Sequence, residues 1–141
     1  MKKLAFLVGT WSGDAMVVRG PGQTIKVHQT EEVKYRLDGL VLLVEGTGHN
    51  DAGDVVFNAF AVISYDDAAH EYRFRSYNDG RYLDTDLKVP ENGFEWGYKA
   101  GPATVRFTMH LNDKGAWVEV GDVTMGTNPP RRTFDMTVRR K

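Results

Sequence analysis

The chain has 141 residues, no cysteine, and 18 basic against 19 acidic side chains, which leave a formal net charge of −1. Without cysteine it can form neither disulfides nor thiolate metal sites, and its charge balance gives no electrostatic reason to expect a nucleic-acid partner. No apolar run approaches the roughly 20 residues of a transmembrane helix, so we predict a single domain over residues 1–141 with no membrane span.

The chain begins with a short apolar segment, Leu4 to Val8, which follows Lys2-Lys3. We predict one short 3₁₀ turn there, ahead of the first strand. The segment also resembles the start of a signal peptide, but its five apolar residues fall short of the usual roughly 7–15. We therefore expect a cytoplasmic protein, with a periplasmic or secreted location as the alternative if a signal peptide has been removed.

Turn signals recur at short spacing along the rest of the chain and divide it into ten runs. Most of these runs are long enough for a strand and too short for most helices. The nine signals are Pro21-Gly22, Asp38-Gly39, Asn50-Asp51-Ala52-Gly53, Asp66-Asp67, Asn78-Asp79-Gly80, Glu91-Asn92-Gly93, Ala100-Gly101-Pro102, Asn112-Asp113-Lys114-Gly115 and Asn128-Pro129-Pro130.

Apolar and polar side chains alternate within the runs, as where Phe94, Trp96 and Tyr98 oppose Glu95 and Lys99. This alternation is typical of an antiparallel sheet with one face packed and the other in water. An open meander would leave two exposed edges, which pairing the first strand with the last removes. A two-sheet sandwich is the alternative, but it would usually need longer crossing loops. We predict an all-β fold: a single closed antiparallel up-and-down β-barrel of about ten strands.

In each strand, the alternate positions that carry the apolar side chains should point into the barrel; this set is called the inward parity. Its side chains would line the lumen. A barrel of about eight strands is barely filled by its side chains or holds one small ligand, and more strands widen it. Ser76 and Thr85 share the inward parity, and a few hydroxyl groups in an aromatic cavity are a usual means of orienting a small molecule. The predicted aromatic and methionine lining includes Tyr35, Tyr72, Trp96, Tyr98, Phe107, Met109 and Trp117.

Gln29 and Glu31 break the apolar parity of the second strand and are predicted to point into the lumen. A buried carboxylate without a partner is costly, so its pKa should rise or it should find a partner. The alternative is that this end of a long strand extends beyond the barrel, where inward residues meet water. Whether Glu119 also points into the lumen is less clear from the sequence, because the residues around it are apolar at both inward and outward positions.

The remaining chemistry-bearing residues form no recognised motif. His28, His49, His70 and His110 lie on different runs, so we predict surface histidines and no metal site. Gly20-Pro21-Gly22 and Gly46-Thr47-Gly48 lack the Lys and Ser/Thr of a phosphate loop, and we interpret both as turns. No Gly-x-Ser-x-Gly sequence is present, and we assign no catalytic residue.

Gly9-Thr10-Trp11, extended as Gly9-Thr10-Trp11-Ser12-Gly13, resembles the Gly-x-Trp signature of the calycin superfamily, which includes lipocalins and fatty-acid-binding proteins. The preceding Leu4-x-Phe6-Leu7-Val8 is similar to the turn that plugs the barrel base in nitrobindin-like bacterial barrels. The resemblance implies that Trp11 is a structural plug at the closed end, beneath a basic residue of the last strand. Arg140 has the better parity for that role, and Arg139 is the second candidate.

The sequence departs from two of these families in features that distinguish them. The short Gly20–Thr24 connection leaves no room for the helical lid of fatty-acid-binding proteins. Nitrobindins hold haem through a histidine late in the sequence, whereas the last strand, Arg132–Lys141, contains none. We therefore expect no haem and no other cofactor, and the likeness is greatest to lid-less, haem-less bacterial barrels.

Three functions are compatible with this pattern. The first is binding of a small hydrophobic or aromatic molecule in the lumen. The second is a structural or interaction domain with a filled barrel, pairing as a homodimer through an outer face. The third is an enzyme in which Glu31 is the acid or base and Tyr35 or Tyr98 donates a hydrogen bond to a developing oxyanion. We rank binding first and the enzyme last.

Overall fold

The computed structural model describes residues 1–141 and contains ten strands and two short 3₁₀ turns, Lys2–Leu7 and Leu37–Gly39. No helix in the chain has the length and hydropathy needed to span a membrane. The strands are β1 (Gly9–Gly20), β2 (Gln23–Arg36), β3 (Val41–His49), β4 (Val55–Asp66), β5 (Glu71–Asn78), β6 (Arg81–Leu87), β7 (Gly93–Ala100), β8 (Ala103–Leu111), β9 (Trp117–Met125) and β10 (Arg131–Arg140). The predicted all-β fold, strand number and N-terminal 3₁₀ turn are confirmed.

All ten strands belong to one antiparallel sheet in the order β6-β5-β4-β3-β2-β1-β10-β9-β8-β7. The first strand pairs with the last, from Trp11 opposite Arg140 to Val17 opposite Phe134, which confirms the predicted closure. This pairing puts both terminal strands inside the sheet, so its two edges are β6 and β7 in the middle of the chain.

The β6–β7 junction, called the seam below, makes the barrel nearly rather than fully closed. Lys88 and Glu95 exchange two backbone hydrogen bonds of 2.9 and 2.8 Å close to the β6–β7 turn. Farther along, the Thr85 hydroxyl donates a 3.4 Å hydrogen bond to the Gly97 carbonyl. The two strands therefore meet beside the turn that joins them and pair weakly beyond it.

The N-terminal 3₁₀ turn closes one end of the barrel. Leu4 and Leu7 are fully buried in the core, and the indole N–H of Trp11 donates to the Leu7 carbonyl at 2.8 Å. The Arg140 guanidinium lies 4.2 Å from the centre of the Trp11 ring and donates to the carbonyls of Phe6 and Val8. The last strand is thereby attached to the segment that precedes the first.

Candidate functional site

The barrel lumen contains a cavity of about 530 Å³. Its floor lies toward the plugged end, where Glu31, Glu119 and Trp117 line it, and its walls are mostly apolar with several aromatic rings. Its mouth is at the opposite end, beside exposed residues such as Arg81 and Tyr82. Because inward positions alternate along every strand, the short hairpins bring side chains from nearly the whole sheet to one enclosed space.

One wall of the cavity is a stack of three aromatic rings. Trp96 is parallel to Phe107, with ring centres 4.5 Å apart and an interplanar angle of 4°. Phe74 stacks on Trp96 with ring centres 4.6 Å apart. Since Phe74 is on β5 and Trp96 on β7, this contact reaches across β6 and joins the two sides of the seam. Because Trp96 lies between Phe74 and Phe107, its ring faces are covered, and the wall offers a largely apolar surface against which an aromatic body can pack.

Gln29 and Glu31 both point inward, as the parity of β2 predicted, and retain only 1% and 7% of their surface. The Gln29 amide donates from Nε2 to Glu31 Oε1 at 2.9 Å. Its own carbonyl oxygen, Oε1, is buried without a hydrogen-bond partner. The water-exposed alternative for this end of the strand is thereby excluded.

Gly46 and Gly48 make the space that these two side chains occupy. A Cβ on Gly46 would lie 2.7 Å from Glu31 Oε1, and one on Gly48 would lie 2.8 Å from Gln29 Oε1. The interpretation of Gly46-Thr47-Gly48 as a turn was wrong, because the segment lies inside β3 and pairs with β2. Alternate glycines in a strand share a face, and here that face admits the longer side chains of the neighbouring strand.

Burial raises the pKa of the Glu31 carboxyl to about 8, and the nearby charge of Glu119 adds to the rise while the Gln29 hydrogen bond opposes it. Burial also raises the pKa of Glu119 to about 7, opposed by a 3.0 Å hydrogen bond from the Trp117 indole N–H to Glu119 Oε1. Glu119 keeps some accessible surface, but that surface faces the enclosed cavity. The floor therefore holds two carboxyl groups that are not both ionised at neutral pH.

Eleven residues were predicted from the sequence to line the lumen, and the structure places six of them at the cavity. These six are Glu31, Ser76, Trp96, Tyr98, Phe107 and Trp117. Tyr98 is partly exposed near the mouth, whereas Trp117 is buried at the floor.

The other five predicted residues lie away from the cavity wall. Gln29 supports Glu31 from behind, and Met109 is buried in the core. The Tyr35 hydroxyl donates to the Met1 carbonyl at 3.2 Å near the plugged end. Tyr72 packs edge-on against another tyrosine, and Thr85 lies at the seam. Parity determines that a side chain points inward, but its height along the barrel axis decides whether it meets the cavity or the packed end.

Several cavity residues were not predicted from the sequence. Glu119 was considered only as a weak candidate for the lumen, although it shares one face of β9 with Trp117 and Gly121. The other additions are apolar wall residues or polar residues at the mouth, including Phe57, Ala59, Ala61, Phe134, Arg19 and Arg81. Their sequence runs alternate as strands do, but nothing in a single run indicates how far up the barrel it lies.

The cavity lining does not fit a haem held by the usual nitrogen or sulfur ligands. No histidine, cysteine or methionine is among the lining residues. His28, His70 and His110 are exposed, and His49 is half-buried at the end of β3. His28 instead contacts two surface carboxylates, at 2.7 Å from Asp51 and 3.1 Å from Asp14.

Comparison with known proteins bears on the fold. No family model matches the chain, and no curated protein is significantly similar to it. Among solved structures, the crystal structure of Rv2717c from M. tuberculosis superposes with a TM-score of 0.71 at 9% sequence identity. The match covers 99% of this chain and 96% of that one. At so low an identity the likeness supports the barrel architecture over the full chain and nothing about chemistry.

Proposed function

We propose that this protein is a calycin-like binding protein whose lumen holds a small molecule with an apolar or aromatic body. The observation that supports the proposal best is the cavity of about 530 Å³ between an aromatic wall and a polar floor. Ligand sites in proteins are typically apolar pockets of about 300–1,000 Å³ with a few polar groups that orient the ligand. Burial of apolar ligand surface there would contribute roughly 25 cal/mol per Å².

The two alternatives fit the geometry less well. A filled structural barrel would leave room for only a water molecule or two, whereas this lumen is far larger. An enzyme would gain a suitable acid or base from the raised pKa of Glu31. It would also need a hydrogen-bond donor beside Glu31, but the Tyr35 hydroxyl is engaged with Met1 and Tyr98 lies near the mouth. Binding therefore accounts for more of the site than catalysis does.

Filling the lumen tests this proposal. Ala61 is buried on the inner face of β4 and lines the cavity, so Ala61→Phe should occupy space that a ligand needs. We expect a neutral aromatic probe, biphenyl-4-carboxamide, to raise the Tm of the wild-type protein progressively with concentration, reaching about 2.7 kcal/mol of stabilisation at 100 times Kd. We expect Ala61→Phe to abolish this rise in thermal unfolding experiments.

Ala68→Phe is the matched control, because Ala68 is exposed in the turn between β4 and β5. It should leave the ligand-induced rise in Tm unchanged. Lumen binding would be contradicted if the probe did not change the Tm of the wild-type protein, or if it raised the Tm of Ala61→Phe as much as that of the wild type.

A further inference from the structure

When its two carboxyl groups are ionised, the floor of the cavity holds more hydrogen-bond acceptors than donors. Each carboxyl receives one hydrogen bond from the protein, from Gln29 to Glu31 Oε1 and from Trp117 to Glu119 Oε1. The second oxygen of each carboxyl, Oε2, receives none, and both residues face the cavity. Gln29 Oε1, buried beside Gly48, is a further acceptor without a donor. Gln29 Oε1 is buried, so its missing donor is costly, whereas the two Oε2 atoms face the cavity and are accessible to a donor on a ligand.

The protein supplies no cation to complete it. The residues that line the cavity include no lysine, and its two arginines lie at the mouth. There Arg19 binds Asp79 at 3.4 Å and the Val56 carbonyl at 2.6 Å, while Arg81 is exposed. Around Glu31, the inward residues of the two flanking strands are Trp11, Gly13, Gly46 and Gly48, which carry no titratable group. Arg140, opposite Trp11 on β10, is a cation on the same face, but it is exposed at the plugged end and donates to the carbonyls of Phe6 and Val8. Glu119 is therefore the titratable neighbour of Glu31 at the floor.

The floor lacks a full set of metal-ligating side chains. No three histidine, cysteine, aspartate or glutamate side chains lie together as a metal-binding group. Two carboxyl groups flanked by aromatic rings suit an organic nitrogen cation, because its N–H groups satisfy carboxylate oxygens while its body packs against the rings.

We infer that the ligand carries a nitrogen cation, an amidinium or a primary ammonium, which Glu31 and Glu119 bind at the floor of the cavity. Its aromatic body lies against Trp96 and Phe107, above the cationic head. A planar amidinium matches the paired oxygens of a carboxylate, and in an enclosed site this attraction is much stronger than in water. This inference rests on the proposed lumen binding and specifies the chemical class of its ligand.

Binding of such a cation is coupled to proton release. Burial raises the pKa values of both carboxyl groups, and the charge of Glu119 adds to the rise for Glu31, so without a bound cation the floor retains protons. A cation between them favours the ionised forms, so their protons pass to the buffer when it binds. At pH 7 we expect roughly one proton released for each cation bound, and less at pH 9, where both groups are already ionised.

Three compounds on one scaffold test the inference: biphenyl-4-carboxamidine, biphenyl-4-carboxamide and biphenyl-4-carboxylate. They share an aromatic body and differ in head-group charge, and isothermal titration calorimetry gives the Kd of each. We expect the amidine to bind at least about tenfold more tightly than the neutral amide, and the carboxylate to bind most weakly. Titrations of the amidine in two buffers of different ionisation enthalpy should show the released proton, and those of the amide should not.

Isosteric variants locate the effect. Glu31→Gln and Glu119→Gln should each weaken amidine binding at least about tenfold while changing amide binding by less than about twofold. Glu45→Gln is the matched control, because Glu45 is exposed on the outer face of β3 beside Gly46, and it should change neither affinity. Unchanged amide binding shows that each variant is folded with its lumen intact.

The outcomes separate this inference from the proposed function. Equal binding of amide and amidine, or amidine binding that survives in both glutamine variants, would overturn the cationic head group and leave lumen binding in place. Failure of all three compounds to bind the wild-type protein would overturn lumen binding and the inference with it.

Discussion

Glu31 and Glu119 come from β2 and β9, yet both lie at the floor of one cavity. Each carboxyl is held by one neighbouring donor, Gln29 or Trp117, on its own strand. Keeping both carboxylates ionised here would cost free energy, because desolvation is incompletely offset and like charges repel. The protein avoids part of that cost by letting the groups keep their protons at neutral pH.

This protonation makes stability depend on pH in a defined direction. The pKa of Glu31 is raised from 4.5 to about 8, so between these values the folded state binds more protons than the unfolded state. Stability from this group is therefore fully present below about pH 4.5 and is lost as pH rises through 8. We expect the free energy of unfolding in urea to fall between pH 5 and pH 8.5, and to fall less in Glu31→Gln.

The comparison of wild type and variant isolates the glutamate from other groups. The hydrogen bonds that the His28 ring donates to Asp51 and Asp14 raise the pKa of His28, so its contribution to stability is lost in the same direction as pH rises. Glu31→Gln leaves His28 unchanged, and the difference between the two pH profiles belongs to the floor of the cavity. The same decline in both proteins would show that Glu31 is not the titrating group.

At the scale of elements, the N-terminal 3₁₀ turn is joined to the barrel by contacts distant in sequence. Trp11 on β1 donates to Leu7, and Arg140 on β10 stacks on Trp11 while its guanidinium donates to the carbonyls of Phe6 and Val8. These contacts link both ends of the chain at the plugged end of the barrel. The cavity therefore has a closed floor instead of an open channel.

Replacing the guanidinium tests this link. Arg140→Lys keeps the charge but loses the fork that reaches two carbonyls and much of the stacking on Trp11. We expect a loss of roughly 1–2 kcal/mol in the free energy of unfolding, measured in urea. Arg139→Lys is the control, because Arg139 is exposed on the opposite face of the same strand, and it should change stability little. Equal losses in the two variants would contradict the bridging role.

At the scale of the whole molecule, the barrel is continuously paired where the chain ends meet and weakest at its middle. β1 and β10 pair over seven residues, whereas β6 and β7 share one backbone bridge beside their turn. Strand edges with few backbone hydrogen bonds open at low free energy. The seam also borders the cavity, because Leu83 on β6 and Trp96 on β7 both line it.

Amide hydrogen exchange checks this difference in local stability. We expect the amides of β6 and β7 that face the seam to exchange faster than the amides paired between β1 and β10, because they lack backbone partners. Binding of a lumen ligand that contacts Trp96 should slow the seam amides most. Uniform protection around the barrel, with or without ligand, would show that the seam is as closed as the other strand pairs.

Side-chain alternation and turn residues in single runs were enough to predict the strands, their number and the closure of β1 on β10. They also placed Glu31, Trp96 and Phe107 inside the barrel, because a side chain's face depends on its position in its own strand. The same reasoning misread Gly46-Thr47-Gly48 as a turn. In the sequence alone, a glycine that leaves room for a side chain of the neighbouring strand looks the same as a glycine that permits a turn. Here the side chains in question belong to β2, which the local sequence of β3 does not reveal.

Local sequence thus determined which residues form strands and which face each side chain takes, since both follow from neighbours along the chain. Strand register and barrel stagger decided the rest: the meeting of Glu31 with Glu119, the cavity volume and the position of the seam. Those features depend on contacts between residues far apart in sequence. A one-residue change of register would reverse every inward face, so only the folded barrel brings the two carboxyls to one floor.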